Sequence, residues 1–285
     1  MRKDLRNLES NILALKDTGR LLAIKAEFEA EGTRIDELGI LSNACFKCNV
    51  PLTLKTGGPA AIRDIYEAYQ LGAKNILIPM VESEYSLEYF INSYQKFSND
   101  FKDLNEKTNL AINIESKLGY ENIEKIIEAI SKKSLPITHI VIGRTDLSSS
   151  LQINDVNSKK IFNITKDILK KADLRNIKCT VGGNLTSESF EFIDNLINLQ
   201  LNAFETRKTT FKLSKSISKN EFDNLIRLSL KFELSWLNLK DAFSGTQNTL
   251  ELNDMRDLLI LKSRSLKSQY FHKLYNHYFL PNLPK

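Results

Sequence analysis

Short β-rich runs alternate with longer stretches of helical periodicity over most of the chain. The runs are Leu21–Phe28, Pro51–Lys55, Asn75–Pro79, Leu110–Glu115, His139–Ile142, Lys178–Val181 and Ala203–Thr206. The clearest helical stretches are Ala60–Leu71, Tyr85–Phe97, Tyr120–Ser131, Lys159–Ala172 and Ser187–Leu196, and Leu5, Leu8, Ile12 and Leu15 mark an amphipathic helix ahead of the first run. Regular strand–helix alternation implies parallel strands joined by right-handed crossovers. The expected fold is α/β, a (β/α)8 barrel of TIM type with seven strands visible. The eighth is irregular, lies near the N-terminus, or is absent. From Lys215 onward no strand pattern appears, and two long helices divided near Gly245 are expected. The expected division is a barrel domain with its N-terminal helix over 1–212 and a C-terminal helical extension over 213–285.

Several strands carry polar residues on one face only. In Leu110–Glu115 the aliphatic residues 110, 112 and 114 share one side, and Asn113 and Glu115 the other. Lys25, Glu27 and Glu29 likewise fall on a common side, because side chains alternate along a strand. A barrel turns its apolar face to the helices and collects inward polar residues at the C-terminal mouth, where active sites form. The alternative is an edge strand whose charges face water.

Two acidic residues follow consecutive strands: Glu115 in Asn113-Ile-Glu-Ser-Lys-Leu-Gly119, and Asp146 in Val141-Ile-Gly-Arg-Thr-Asp-Leu-Ser148. Neighbouring strand ends lie about 5 Å apart, so these carboxylates are placed to share a cation. Hard oxygen donors favour Mg²⁺ or Mn²⁺ over zinc. The competing reading is that each caps the helix that follows. Gly57-Gly58-Pro59, directly after Lys55, offers backbone N–H groups to a carboxylate or phosphate, or is a plain turn. Arg144 binds a second carboxylate or pairs with a neighbouring acid. Cys45 and Cys48 have metal-ligand spacing but no second pair to complete a zinc site. Lys25 is a Schiff-base candidate, set against Glu27 and Glu29, which neutralise it.

The order Lys-Ala-Glu-Phe-Glu (25–29), Leu-Lys-Thr-Gly-Gly (54–58), Ile-Pro-Met-Val-Glu-Ser (78–83), Asn-Ile-Glu-Ser-x-x-Gly (113–119) and Ile-Gly-Arg-Thr-Asp-Leu-Ser (142–148) resembles the HpcH/HpaI aldolase and citrate lyase β-subunit superfamily. The resemblance runs over roughly Leu21–Lys212. It implies a metal-dependent carbon–carbon lyase acting on an α-keto acid or related carboxylate through a metal-stabilised enolate. Glu115 and Asp146 match the metal-binding carboxylates. Lys55 stands where the family has arginine, keeping the charge but losing the bidentate fork. Glu27 and Glu29 match an acidic pair that binds metal-linked water or orients neighbours, and Glu82 falls near the mouth. Asn184 and Arg207, at later strand ends, are expected to contact substrate.

One departure stands out. The family's aldolases carry an acid/base histidine after the first acidic strand, where this chain reads Glu29-Ala-Glu-Gly32. Its histidines are His139, His272 and His277, and His139 opens a strand at the far end of the barrel. The base is then Glu29, Glu31, a water on the metal or a partner's residue. The alternative function is a non-catalytic or regulatory ligand-binding barrel. An acyl-CoA lyase stays in the same chemical class, but no feature identifies a CoA site.

The net charge of +5 is carried wholly by residues 258–285, where Lys262, Arg264, Lys267, Lys273 and Lys285 meet no acid. A neutral body argues against nucleic-acid binding. The apolar runs are too short to span a bilayer, Met1–Ser10 is charged where a signal peptide is apolar, and three cysteines give no disulfide framework. A cytoplasmic protein is expected. The tail repeats Leu259, Leu266, Tyr270, Leu274 and Tyr278 at helical spacing, with Phe271, Tyr275 and Phe279 widening the stripe. Five charges are too few to prefer a membrane, and a homo-oligomer contact is expected instead.

Overall fold

The computed structural model describes residues 2–29, 31–100, 108–132 and 135–244. The basic tail and the Gly245 break lie outside the described residues. Helix α1 (Arg2–Lys16) leads into β1 (Leu21–Glu27), α2 (Ile35–Lys47), β2 (Leu52–Lys55), α3 (Ile62–Gln70), β3 (Asn75–Ile78), α4 (Glu84–Asp100) and β4 (Asn109–Ile114). Then follow α5 (Lys117–Glu121), α6 (Ile123–Lys132), β5 (Ile137–Gly143), α7 (Arg144–Ser150), α8 (Lys159–Asp173), β6 (Lys178–Gly182), α9 (Phe190–Ile197), β7 (Leu201–Glu205), β8 (Thr209–Lys212) and α10 (Lys219–Ser244).

The eight strands close into one barrel in chain order. β1 to β7 are parallel, while β8 runs antiparallel to both β7 and β1. The reversal follows from chain length. Only Thr206, Arg207 and Lys208 separate β7 from β8, whereas a parallel crossover needs a dozen or more residues. The turn is pinned by Thr206 N–H donating to Thr209 O at 2.8 Å. Closure onto β1 continues with Lys25 N–H donating to Lys208 O at 2.8 Å. The eighth strand is therefore present, as a hairpin arm.

Alternation divides each strand between two environments. Ile24, Ala26, Leu52, Leu54, Ile76, Ile78, Leu110, Ile112, Ile114, Ile140, Ile142, Val181 and Phe204 join the continuous hydrophobic core shared with the helices. Lys25, Glu27, Thr53, Leu77, Asn113, Val141, Thr180, Ala203 and Glu205 are equally buried and alternate along the strands with those core residues, so they line the barrel interior. The charged face of β1 is thus internal and not an edge. Helix α10 shares the barrel's core through Phe222, Leu225, Phe232, Trp236 and Leu239. Ser229 Oγ meets Thr209 Oγ1 at 2.7 Å, and Lys240 reaches Glu37 at 3.4 Å.

Cys45 and Cys48 sit at the buried end of α2, where Cys48 Sγ donates to Glu9 O at 3.7 Å and burial pushes the Cys45 thiol up to about 12. They are packing residues. His139 is half-buried early in β5, and burial, aided by Lys178, lowers its pKa to about 4. The unfolded chain protonates first, near the usual 6.5. Stability is therefore full above about pH 6.5 and falls as pH drops towards 4, by on the order of 3 kcal/mol. His139→Gln is expected to flatten that part of a melting temperature–pH curve. An unchanged slope contradicts this assignment.

Candidate active site

The inward residues near the C-terminal strand ends form one charged layer. Glu27 and Lys55 are register partners on β1 and β2. Lys25 Nζ donates to Glu205 Oε1 at 2.7 Å and lies 3.7 Å from Glu27 Oε1. Lys55 Nζ lies 3.9 Å from Glu27 Oε2 and 3.6 Å from Glu115 Oε2. A ladder of alternating sign therefore crosses the barrel from Glu205 through Lys25, Glu27 and Lys55 to Glu115. Burial opposes the Lys25 charge, but Glu205 and Glu27 outweigh it and raise its pKa. A Schiff base needs the neutral amine, so that reading of Lys25 is corrected.

Glu115, 3% exposed, is held by two donors. Met80 N–H donates to Oε1 at 3.1 Å and the Asn113 amide to Oε2 at 2.7 Å. Met80, two residues beyond β3, adopts φ 52°, a left-handed conformation unusual outside glycine. Gly143 makes room for this carboxylate, since a Cβ there would stand 2.8 Å from Glu115 Oε2. Asp146, the third residue of α7, is exposed to the mouth. Partial desolvation and then the charge of Glu115 raise its pKa, against the pull of Lys55. The carboxylates Glu27, Glu115, Asp146 and Glu205 face the ammonium groups Lys25 and Lys55, leaving an excess of two negative charges. Among the described residues no cluster of three His, Cys, Asp or Glu side chains forms an all-protein metal cage.

Glu29 is exposed at the end of β1, and the missing side chain of Gly57 gives it room, because a Cβ there would lie 2.3 Å from Glu29 Cγ. Glu31 is differently placed. It binds Arg207 Nε at 3.0 Å and the Lys208 ammonium, and these cations overcome its burial and hold its pKa down. It is a bracing residue and is removed from the candidate bases. Arg207 also lies 3.8 Å from Glu233 on α10. Its expected substrate contact is corrected to a clamp between the β1 loop, the hairpin and α10.

Two further expectations change. Arg144 is fully buried. Its Nε donates to Gly182 O at 3.1 Å, one terminal nitrogen to Asn157 Oδ1 at 2.7 Å and the other to Gly183 O at 2.8 Å, with Phe192 4.5 Å below the guanidinium. It fastens loops and presents nothing to a ligand. Helix α3 starts at Ile62, not directly after the glycines, and Gly57 N–H already donates to Asp64 Oδ2 at 2.7 Å. An internal carboxylate thus takes the place expected for a ligand at Gly57; Gly58 lies in the same turn, its carbonyl accepting from Thr56 Oγ1 at 3.2 Å. Asn184, half-buried beyond β6, has φ 43°. Ser116 caps α5 by accepting from Gly119 N–H at 3.1 Å and donates to Glu82. With Ser116 as the cap, Glu115 is free of that duty. Asn113, placed by alternation on the polar face with Glu115, enters the site as that carboxylate's donor, and Met80 and Glu205 join it without having been expected there. Asn113 and Glu205 fall on the inward face by alternation, while the Met80 contact depends on a backbone angle that sequence does not display.

Residues 46–184 match the family model of HpcH/HpaI aldolase/citrate lyase. No curated protein matches this sequence. Among solved structures, the fold is similar to an HpcH/HpaI aldolase from Desulfitobacterium hafniense DCB-2, at TM-score 0.55 and 13% identity, covering 69% of this chain and 81% of the other. An HpcH/HpaI aldolase/citrate lyase family protein from Burkholderia cenocepacia J2315 gives TM-score 0.52 and 10% identity over 64% of this chain and 77% of that one. A Haloferax volcanii malate synthase, in a magnesium/glyoxylate complex, gives 0.52 and 8% identity over 72% and 65%.

Proposed function

We propose that this chain, whose residues 46–184 match the HpcH/HpaI aldolase/citrate lyase family model, is a metal-dependent carbon–carbon lyase acting on an α-keto acid or related carboxylate. The observation that carries the reading is the excess of two negative charges in the mouth, centred on Glu115 and Asp146. Their donors are all oxygen, and each Glu115 oxygen keeps a lone pair beyond its single hydrogen bond. That set fits Mg²⁺ or Mn²⁺. Glu115 and Asp146 would hold the ion, which when bound supplies Lewis acidity at the substrate's carbonyl.

The chain's own groups account for the remaining steps. Lys55, held between Glu27 and Glu115, places a positive charge where the carbonyl oxygen gains negative charge on cleavage. Glu27 fixes that ammonium and the ammonium of Lys25 together, so neither drifts as charge moves. Glu29, open to solvent and free of the clamp that holds Glu31, takes the proton from the substrate hydroxyl, which opens the carbon–carbon bond. Glu29→Gln is expected to lower kcat by about 10²-fold and to leave metal affinity unchanged. Equal kcat in the variant removes Glu29 from the mechanism.

The direct test is pyruvate release from a panel of 4-hydroxy-2-keto acids with Mg²⁺ or Mn²⁺. Metal-dependent turnover supports the lyase; metal-dependent stabilisation without turnover on any substrate favours the non-catalytic ligand-binding barrel. Among the described residues no helix is long and apolar enough to cross a membrane. For the basic tail we keep the reading of a homo-oligomer contact, supported by its apolar stripe alone. Truncation after Asp257 is then expected to lower the oligomeric state in sedimentation, and an unchanged state rejects it.

A further inference from the structure

A groove of about 590 Å³ lies on the rim of the mouth between α5 and α8. Its apolar wall is made by Leu151, Ile164 and the ring of Tyr120, whose hydroxyl is fixed on Asp167 at 3.1 Å. Its polar edge carries Lys117, Lys159 and Lys160. Glu121 is the acid in the lining, and it lies 3.7 Å from Lys117. Lys159 and Lys160 are exposed and make no ion pair among the described residues. Farther along the same helix Lys171 is bound to Asp167 at 2.7 Å and Glu124 at 3.0 Å, while Lys166 and Lys170 also make no ion pair among the described residues; what sets Lys159 and Lys160 apart is that they line the groove.

We propose that this groove is a second binding site, distinct from the metal-centred mouth, for an organic phosphate with an apolar body. Two adjacent uncompensated ammonium groups match a dianionic head, and the Leu151–Ile164–Tyr120 wall matches a flat or aliphatic body. The volume lies within the range of small-molecule sites. An inorganic anion leaves the apolar wall wet, and a neutral apolar molecule leaves both charges unanswered. Both are therefore weaker occupants.

The site is tested with 1-naphthyl phosphate, using inorganic phosphate and 2-naphthol as controls, on the full chain. Saturable one-to-one binding is expected, tighter than for either control, with Lys159 and Lys160 protected from acetylation while Lys96 is not. The double variant Lys159→Glu/Lys160→Glu changes exposed side chains and is expected to weaken binding about tenfold, with the melting temperature unchanged. Absence of saturable binding at millimolar probe, equal affinity in the variant, or uniform lysine protection overturns the proposal. So does competition of the probe with oxalate, which places the probe in the mouth. Failure of oxalate to bind at all rejects the lyase reading and leaves this site standing.

Discussion

Glu115→Gln is expected to abolish metal-dependent stabilisation and to reduce turnover by on the order of 10²–10³-fold. The side chain keeps its shape, but an amide offers one acceptor oxygen where the carboxylate offers two. Met80 N–H and the Asn113 amide now compete for that oxygen, and one of them faces an NH₂ group. Lys55 also loses the carboxylate 3.6 Å away. The cost to folding is about 1–3 kcal/mol for the stranded donor. The cost to ion binding is larger, because half of the protein's ligand set becomes neutral. Thermal melts with and without Mg²⁺ separate the effects. The wild type is expected to gain stability with the ion and the variant to melt slightly lower, with no response. A variant that still responds to Mg²⁺ moves the ion elsewhere.

Arg144→Met is expected to lower stability by about 2–4 kcal/mol through the acceptors it strands. Methionine fills part of the volume but strands the carbonyls of Gly182 and Gly183 and the Asn157 side chain. The loss is structural in its consequences. Gly183, at φ 86°, sits so close that a Cβ on it would stand 2.5 Å from Thr145 N. The segment bearing Asp146 and the segment bearing Asn184 are thus closed against each other by one guanidinium. A substrate-contacting arginine gives the opposite signature: raised KM at unchanged melting temperature. Denaturant unfolding and steady-state kinetics on one variant distinguish the two roles. A stable variant with a selectively raised KM restores the substrate role.

The architecture was legible where periodicity was strong. The alternation of residues 110, 112 and 114 against 113 and 115 placed Glu115 inside the barrel correctly, because a strand has only two faces. β8 was harder to read. Thr209-Thr210-Phe211-Lys212 follows β7 so closely that it resembles an extension of that strand, and only closure onto β1 reveals the reversed arm. Charged site residues were the least legible class. Arg144 and Arg207 sit at strand ends as substrate contacts do, yet Gly182–Gly183 and Glu31 engage them, partners 38 and 176 residues distant in sequence. Glu31 and Glu29 are separated by one residue and differ in fate for the same reason. Nothing local marks which carboxylate meets the hairpin's cations. Asp64 shows the same limit, since its hold on Gly57 depends on a turn that delays α3 to Ile62.

Calorimetric titration of oxalate into the full chain, with Mg²⁺ present and again with EDTA, bears most directly on the proposed site. Binding that requires Mg²⁺ and disappears in Glu115→Gln is the predicted result. Oxalate binding of equal strength in EDTA, or metal-dependent binding that survives Glu115→Gln, contradicts a cation held by Glu115 and Asp146 as the centre of this protein's chemistry.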